Sequence, residues 1–139
     1  MLVAGPFHVN GWYPQVIDPN NEPPGFLAQL YAEVSPDGPD HYPVVVRKFA
    51  QMHLEEPTLT ADDLRRVEAR TLVMVGDDDE VRLEHAIAMY HGIPDAELMV
   101  VPGTSHGLLV EKPGLCNEVI LTFLTTDPVP TMAPIRRAT

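Results

Sequence analysis

The sequence predicts an α/β fold in which short buried strands alternate with helices. Two apolar runs, residues 71–75 (TLVMV) and 97–101 (ELMVV), are followed by glycine or proline and are too short for helices, which is typical of buried strands. The segment between them carries one apolar helical face, formed by Leu83, Ala86, Ile87 and Tyr90. A strand, a helix and a strand within about 30 residues form a βαβ unit, so we expect two parallel strands joined by a right-handed crossover.

The chain before this unit is expected to begin with a strand and to continue through short helices. Residues 1–5 (MLVAG) form a short apolar run that ends at glycine, and the proline-rich residues 6–23 are expected to be irregular. Apolar residues at helical spacing then predict two helices, over about 24–34 and 40–54. This segment therefore contributes one strand to the sheet and places helices outside it.

Two further helices are expected, one before and one after the βαβ unit. Thr60 and Asp63 have the spacing of a capping box, which predicts the start of a helix over residues 61–67. A further apolar face near the C-terminus predicts a terminal helix over residues 112–126 that covers the sheet. Residues 127–139 are rich in proline and are expected to form a loose tail.

Polar side chains follow both strands of the βαβ unit at the point where each strand ends. Asp77, Asp78 and Asp79 follow the first strand, and the loop after the second strand carries His106. Because sites in open parallel sheets form beyond the carboxyl ends of the strands, we expect these two loops to lie side by side. A carboxylate beside an imidazole is the acid–base half of a hydrolytic triad. Taken singly, the same residues fit a helix-capping turn and an ordinary loop histidine.

These motifs resemble the C-terminal part of the α/β-hydrolases. The resemblance is carried by TLVMVGDDD, then AELMVVPGTSHGLLVEKP, then an amphipathic helix; it is specific over residues 70–125 and looser over 1–69. It implies a partial α/β-hydrolase fold, with about three parallel strands, a helical cap and flanking helices. The parts of this single truncated domain, 1–139, would be a strand (1–5), cap-like helices (6–69), a strand–helix–strand–helix core (70–126) and a tail (127–139).

The resemblance also implies which residues form the catalytic pair. In this family the triad acid follows Gly-x-x after the seventh strand, which here is Asp79, and the triad histidine follows the eighth strand, which here is His106. The order of acid then histidine matches as well. Asp77 and Asp78 stay open as alternative acids, because an offset of one residue in a turn changes which carboxylate points inward.

The nucleophile of such a triad is expected to be missing from this chain. The sequence has two serines, and Ser105 lies in GTSHG, a literal match to the nucleophile elbow G-x-S-x-G. We do not expect Ser105 to be the nucleophile, because Pro113 interrupts the helix that should follow and no histidine lies beyond His106. Adjacent side chains also diverge, so His106 is poorly placed to act as its base. Ser35 lies in a predicted turn, and the family's elbow would precede Met1.

Two functions are consistent with these features. The first is hydrolysis of an ester, a lactone or a C–C bond by a Ser-His-Asp type triad, of which this chain carries the acid and the base. The nucleophile would come from a missing N-terminal half or another chain. The alternative is a catalytically inactive relic that acts as a dimeric small-molecule-binding or interaction module. We expect a homodimer through residues 1–15 and the apolar faces of the cap helices, because nothing in MLVAG protects the strand edge.

Five aromatic residues of the N-terminal segment have two open interpretations. They could line a substrate pocket under the cap or belong to the core, and they are Trp12, Tyr13, Phe26, Tyr31 and Tyr42. The sequence does not identify the substrate, because pocket shape is set by side chains rather than by a motif.

Composition excludes several kinds of partner. The formal charge of −11, from 9 basic and 20 acidic residues, argues against nucleic acid and anionic membranes. One cysteine, Cys116, excludes an internal disulfide, and the scattered histidines lack the spacing of a zinc site. We therefore expect no cofactor and no metal. The chain has no long apolar stretch and no signal peptide, which predicts a cytoplasmic location.

Overall fold

The computed structural model describes residues 1–18 and 23–135 of the 139-residue chain. The parts of the predicted irregular segment and tail at 19–22 and 136–139 lie outside these residues. The elements, in chain order, are β1 (Leu2–Val3), α1 (Gly25–Val34), α2 (Tyr42–Glu55), α3 (Ala61–Arg65), β2 (Thr71–Gly76), α4 (Leu83–Gly92), β3 (Ala96–Val101), α5 (Leu108–Glu111) and α6 (Pro113–Thr125). Two short 3-10 helices, Val9–Gly11 and Pro39–His41, precede α1 and α2 respectively.

The described residues form one three-stranded parallel sheet in the order β1-β2-β3. Leu2 is paired with Val73 in β2, and β2 is paired with β3 from Thr71 opposite Ala96 to Gly76 opposite Val101. This confirms the predicted α/β class and the three parallel strands. The register brings the carboxyl ends of β2 and β3 level, so the loops that follow them leave the sheet together.

Helices cover both faces of the central strand. All six residues of β2 are buried, and its side chains alternate between the two faces of the sheet. On one face Val73 and Val75 pack with buried residues of α4, and on the other Leu72 and Met74 pack with Cys116 of α6. Each such apolar side chain stabilises the fold by about 1.5–3 kcal/mol relative to exposure. Burial on both faces explains why β2 is an uninterrupted apolar run.

The terminal helix differs from the prediction. Instead of one helix over residues 112–126, the structure has α5 followed by α6, with Lys112 between them. Pro113 lies in the first turn of α6, where its missing N–H is tolerated, but it cannot donate a hydrogen bond that would continue α5. α5 is too short to show a helical period in sequence, which is why it was not predicted. Cys116 is buried, and its Sγ lies 3.4 Å from the carbonyl oxygen of Leu108.

The predicted helices of the N-terminal segment are present, with small differences at their ends. α2 is preceded by a 3-10 turn, and Pro43 lies in its first turn, where the missing N–H of proline is tolerated. α3 ends at Arg65, two residues earlier than predicted. Its capping box is formed: Thr60 Oγ1 accepts from the Asp63 N–H at 3.3 Å, and Asp63 Oδ2 accepts from the Thr60 N–H at 2.9 Å.

Candidate active site

Asp79 lies in the loop after β2 and is held rigidly there. Its side chain is 0% exposed. Oδ2 accepts a hydrogen bond from the N–H of Gly76 at 3.0 Å, and Oδ1 accepts one from the N–H of Val81 at 3.1 Å. These backbone donors come from both ends of the loop. They compensate the carboxylate for the loss of water, because a buried charge without partners would be strongly destabilising.

His106 lies in the loop after β3 and contacts Asp79. Its Nδ1 is 2.9 Å from Asp79 Oδ1, so the contact expected from the strand order is present. An ionised carboxylate can only accept, so Nδ1 carries the proton of this hydrogen bond. The tautomer leaves Nε2 as the nitrogen that can accept a proton from another group. The imidazole is 40% exposed, so the ring is not enclosed by the core.

Asp79 and His106 each favour the charged form of the other. The hydrogen bond to Asp79 raises the pKa of His106, burial opposes it, and the negative charges of Asp79 and Glu80 add to the rise. Burial alone would raise the pKa of Asp79, but the hydrogen bonds from His106, Gly76 and Val81 outweigh it and hold that pKa below its ordinary value. Asp79 is therefore ionised wherever His106 titrates, and it stabilises the imidazolium.

The alternative acids, Asp77 and Asp78, are not directed at the imidazole. Asp77 Oδ1 accepts a hydrogen bond from the N–H of Thr104 at 3.1 Å, and the backbone N–H groups of Gly103 and Thr104 lower its pKa. Asp78 is exposed, and its own N–H donates to the carbonyl of Thr104 at 3.1 Å. Of the three consecutive carboxylates, Asp79 is the one that is hydrogen-bonded to His106.

Gly76 allows the two loops to meet. A Cβ atom at this position would lie 2.4 Å from the carbonyl oxygen of Thr104 and 2.6 Å from that of Ser105. Both neighbours are backbone atoms, which cannot turn away as a flexible side chain would. In the sequence Gly76 indicated only the end of a strand, because this close approach involves a loop about 28 residues away.

Neither serine of the chain is hydrogen-bonded to His106 in the part that the structure describes. Ser105 Oγ donates to Glu111 Oε1 at 2.6 Å and accepts from the N–H of Gly107 at 3.2 Å. Ser35 caps the end of α1, where its Oγ accepts from the N–H of Asp37 at 3.3 Å. Ser105 therefore belongs to the hydrogen-bonded loop structure around His106.

Two residues of the N-terminal segment form an aromatic contact near His106: Trp12, which the sequence left open as pocket lining or core, and His53, which was not predicted as part of the site. Trp12 lies between two histidines, with its ring 5.8 Å from that of His106 and 4.7 Å from that of His53. His53, on α2, is only 8% exposed. Burial lowers the pKa of His53, the negative charge of Glu80 raises it, and His106 lowers it further. The Nε1 atom of Trp12 is buried and has no hydrogen-bond partner among the described residues. In sequence, His53 has only the spacing of a helix face, which indicates packing.

The five aromatic residues that could line a pocket or belong to the core lie in different places in the structure. Trp12 is buried in the core beside His106, and Phe26 is exposed. Tyr31 and Tyr42 pack against each other, with ring centroids 5.4 Å apart. Tyr13 lines the pocket beside the acidic loop that is described below. They are therefore not one pocket lining.

An open pocket of about 410 Å³ lies beside the acidic loop. Its lining comprises Tyr13, Gln15, Val16, residues 76–81 and Leu83. A pocket of this volume is large enough for a small molecule. Its lining residues come from the loop after β2 and the start of the N-terminal segment, not from α1 or α2.

Neither a metal centre nor a membrane span is found in the part of the chain that the structure describes. Within residues 1–18 and 23–135, no three histidine, cysteine or acidic side chains are grouped closely enough to hold a metal ion. None of the helices in those ranges combines the length and the apolar character needed to cross a membrane.

Two curated proteins are similar in sequence. The chain is 34% identical over 85 residues to a non-heme haloperoxidase from Rhodococcus erythropolis, covering 54% of this chain and 30% of that protein. It is 28% identical over 107 residues to a putative carbamate hydrolase RutD from Acinetobacter baylyi, covering 77% of this chain and 40% of that protein. The chain thus spans less than half the length of either relative. No protein-family model matches it.

Solved structures with a similar fold are also longer than this chain. A serine hydrolase involved in carbazole degradation matches with a TM-score of 0.58 at 21% identity, over 76% of this chain and 41% of that one. A meta-cleavage product hydrolase from Pseudomonas fluorescens matches with a TM-score of 0.56 at 20% identity, over 71% and 38%. An α/β hydrolase from a deep-sea metagenome matches with a TM-score of 0.52 at 16% identity, over 76% and 42%.

Proposed function

The chain has part of the α/β-hydrolase fold, and from this premise we propose that it supplies the acid and the base of a hydrolytic triad. Asp79 is the acid and His106 is the base. The observation that carries the proposal is the hydrogen bond between His106 Nδ1 and Asp79 Oδ1 at 2.9 Å, formed where two adjacent parallel strands end. The substrate class is a small molecule with an ester, a lactone or a ketone next to the C–C bond to be cleaved.

The proposed chemistry follows from the two ends of the imidazole. Nε2 accepts the proton of a nucleophilic hydroxyl as its oxygen attacks the substrate carbonyl, and the imidazolium then donates that proton to the leaving group. Water repeats the sequence to release the acyl group. Asp79 does not take up the proton; it holds the tautomer and stabilises the transient positive charge. Its fixed hydrogen bonds to Gly76 and Val81 keep it in place through both steps.

The nucleophile in this proposal lies outside these 139 residues, on a longer form of the polypeptide or on another chain. Support comes from the two serines, since Ser105 Oγ is hydrogen-bonded to Glu111 and Ser35 caps a helix. The outer edge of β1 is also unpaired among the described residues, so a further strand can be added there. General acid–base groups without a nucleophile and an oxyanion hole do not suffice for acyl transfer.

The test compares two proteins that differ in length. The 139-residue chain and a version extended by the upstream in-frame sequence are incubated with p-nitrophenyl acetate and a fluorophosphonate probe. We expect turnover and labelling in the extended version alone. There, Asp79→Asn should lower kcat by about 10⁴-fold and His106→Ala by about 10⁶-fold. Asp78→Asn is the matched control. Turnover by the 139-residue chain that depends on His106 and labels Ser105 would contradict the proposal.

A second candidate function is a dimeric binding module without catalysis. The observation that favours it is the apolar surface of the helices before β2: Phe26 and Val34 on α1 are 61% and 80% exposed, and Phe49 on α2 is 55% exposed. A second copy could cover this surface together with the β1 edge, provided that the interface buries at least about 1,000 Å². Sedimentation equilibrium at micromolar concentration should then give twice 15.4 kDa, and a folded monomer would contradict this candidate.

A further inference from the structure

The loop that carries His106 is held by a carboxylate from the helix that follows it. Glu111, the last residue of α5, uses both of its oxygens on one residue. Oε2 accepts from the N–H of Ser105 at 2.7 Å, and Oε1 accepts from Ser105 Oγ at 2.6 Å. Ser105 directly precedes His106, so this two-point contact fixes the peptide from which the imidazole projects.

The rest of the loop is fixed at other points. Before Ser105, Thr104 donates its N–H to Asp77 at 3.1 Å and its hydroxyl to the carbonyl of Val101 at 2.8 Å. After it, the N–H of Gly107 donates to Ser105 Oγ at 3.2 Å, so the hydroxyl joins Gly107 to Glu111. His106 thus lies between two residues that both depend on the Glu111 carboxylate.

We propose that Glu111 is a positioning residue for His106, acting through Ser105. The role rests on the proposed function, in that His106 is the base to be positioned. The imidazole is 40% exposed, so it is not confined by close packing on all sides. Its orientation toward Asp79 therefore depends on the backbone of residues 105–107, which Glu111 holds with charge-assisted hydrogen bonds.

Glu111 is ionised over the range in which His106 titrates. The hydroxyl and the N–H of Ser105 lower the pKa of Glu111 below its ordinary value. The charged groups that act on His106 are Asp79 and Glu80, which raise its pKa. On α2, the pKa of His53 is lowered in part by His106. A contact between Glu111 and the ring is not needed, because the carboxylate acts on the backbone.

The test measures the imidazole directly and needs no substrate. The 139-residue chain is titrated by NMR, following the Cε1–H of His106 and the Nδ1–H proton in its hydrogen bond to Asp79. Glu111→Ala should lower the pKa of His106 and abolish the Nδ1–H resonance. Glu111→Gln should restore part of both, because its amide can still accept from the Ser105 N–H. Combining Glu111→Ala with Ser105→Ala should lower the pKa no further than Glu111→Ala does.

Two controls separate positioning from charge and from the pair itself. Asp78→Asn removes a nearby exposed carboxylate that holds no part of the loop, so it should lower the pKa of His106 less than Glu111→Ala does. An equal effect would overturn the positioning role. If Asp79→Asn lowers the pKa of His106 but Glu111→Ala does not, Glu111 is not a positioning residue, and the interaction between Asp79 and His106 is still supported. If Asp79→Asn also has no effect, the proposed function fails. Ser105→Ala tests the same contact should Glu111→Ala not fold.

Discussion

The strand–helix–strand region and the helices before it bury very different amounts of surface. Every residue of β2 is buried, and Gly76 approaches the histidine loop within backbone contact distance. No residue of α1 is buried, and His53 is the one buried residue of α2. The comparison shows that the site geometry depends on the densely packed sheet. The helices before it contribute only a few side chains to the site, notably His53, and keep a large apolar surface free for other contacts.

This contrast predicts unequal costs for the same substitution in the two regions. Leu72, in β2, is 2% exposed, whereas Leu30, in α1, is 50% exposed. Leu72→Ala leaves a cavity and should lower the free energy of unfolding by about 2–5 kcal/mol. Leu30→Ala should change it by no more than about 0.5 kcal/mol. Urea unfolding of both variants checks this, and comparable costs would mean that α1 is covered in solution.

Two glycines sharpen the comparison at the level of the backbone. Adding a Cβ at Gly76 meets two backbone oxygens, so Gly76→Ala should lower the free energy of unfolding by about 1–3 kcal/mol and move the loop that carries His106. At Gly25, the first residue of α1, nothing lies within 4 Å. Gly25→Ala should therefore be neutral or stabilising by up to about 1 kcal/mol, through helix propensity. Thermal unfolding of both variants shows which substitution is the more destabilising. Destabilisation by Gly25→Ala but not by Gly76→Ala would contradict the prediction.

The two regions should also respond to pH with opposite sign. The pKa of His106 is raised in the folded state, so its contribution to stability is present below the ordinary histidine pKa of 6.5 and is lost as the pH rises through the folded value. The pKa of His53 is lowered mainly by burial. Its contribution to stability is therefore present above pH 6.5 and is lost as the pH falls from 6.5 through the lower folded value.

Measuring the free energy of unfolding at pH 5 and pH 8 separates these contributions. His106→Gln should cost more at pH 5 than at pH 8, and His53→Gln should cost more at pH 8. Asp79→Asn should remove the pH dependence that His106 causes, because the imidazole then loses the partner that raises its pKa. The effects are expected to be the smallest of the series, since the His106 imidazole is 40% exposed. The same sign for both histidine variants would refute the assignment.

Most of the fold could be predicted from patterns within short segments. The apolar runs of β2 and β3 and the helical face of α4 are local features, and together they imply a parallel βαβ unit with adjacent loops. That the acidic loop lies beside the loop that carries His106 follows from that topology. Local reasoning could not separate Asp79 from Asp77 and Asp78, because all three occupy one turn and differ only in where the backbone directs them.

What the sequence by itself determined is the chemistry available at the carboxyl edge of the sheet: acids after one strand and a histidine after the next. Only the tertiary structure decided how these groups are used. Asp79 is bonded to His106, Asp77 to the loop backbone, and Glu111 to Ser105. It also brought Trp12 beside the imidazole, and His53 beside Trp12, from distant parts of the chain. The physical reason is that strand and helix periods are properties of neighbouring residues, whereas hydrogen-bond partners and close approaches depend on how separate segments pack.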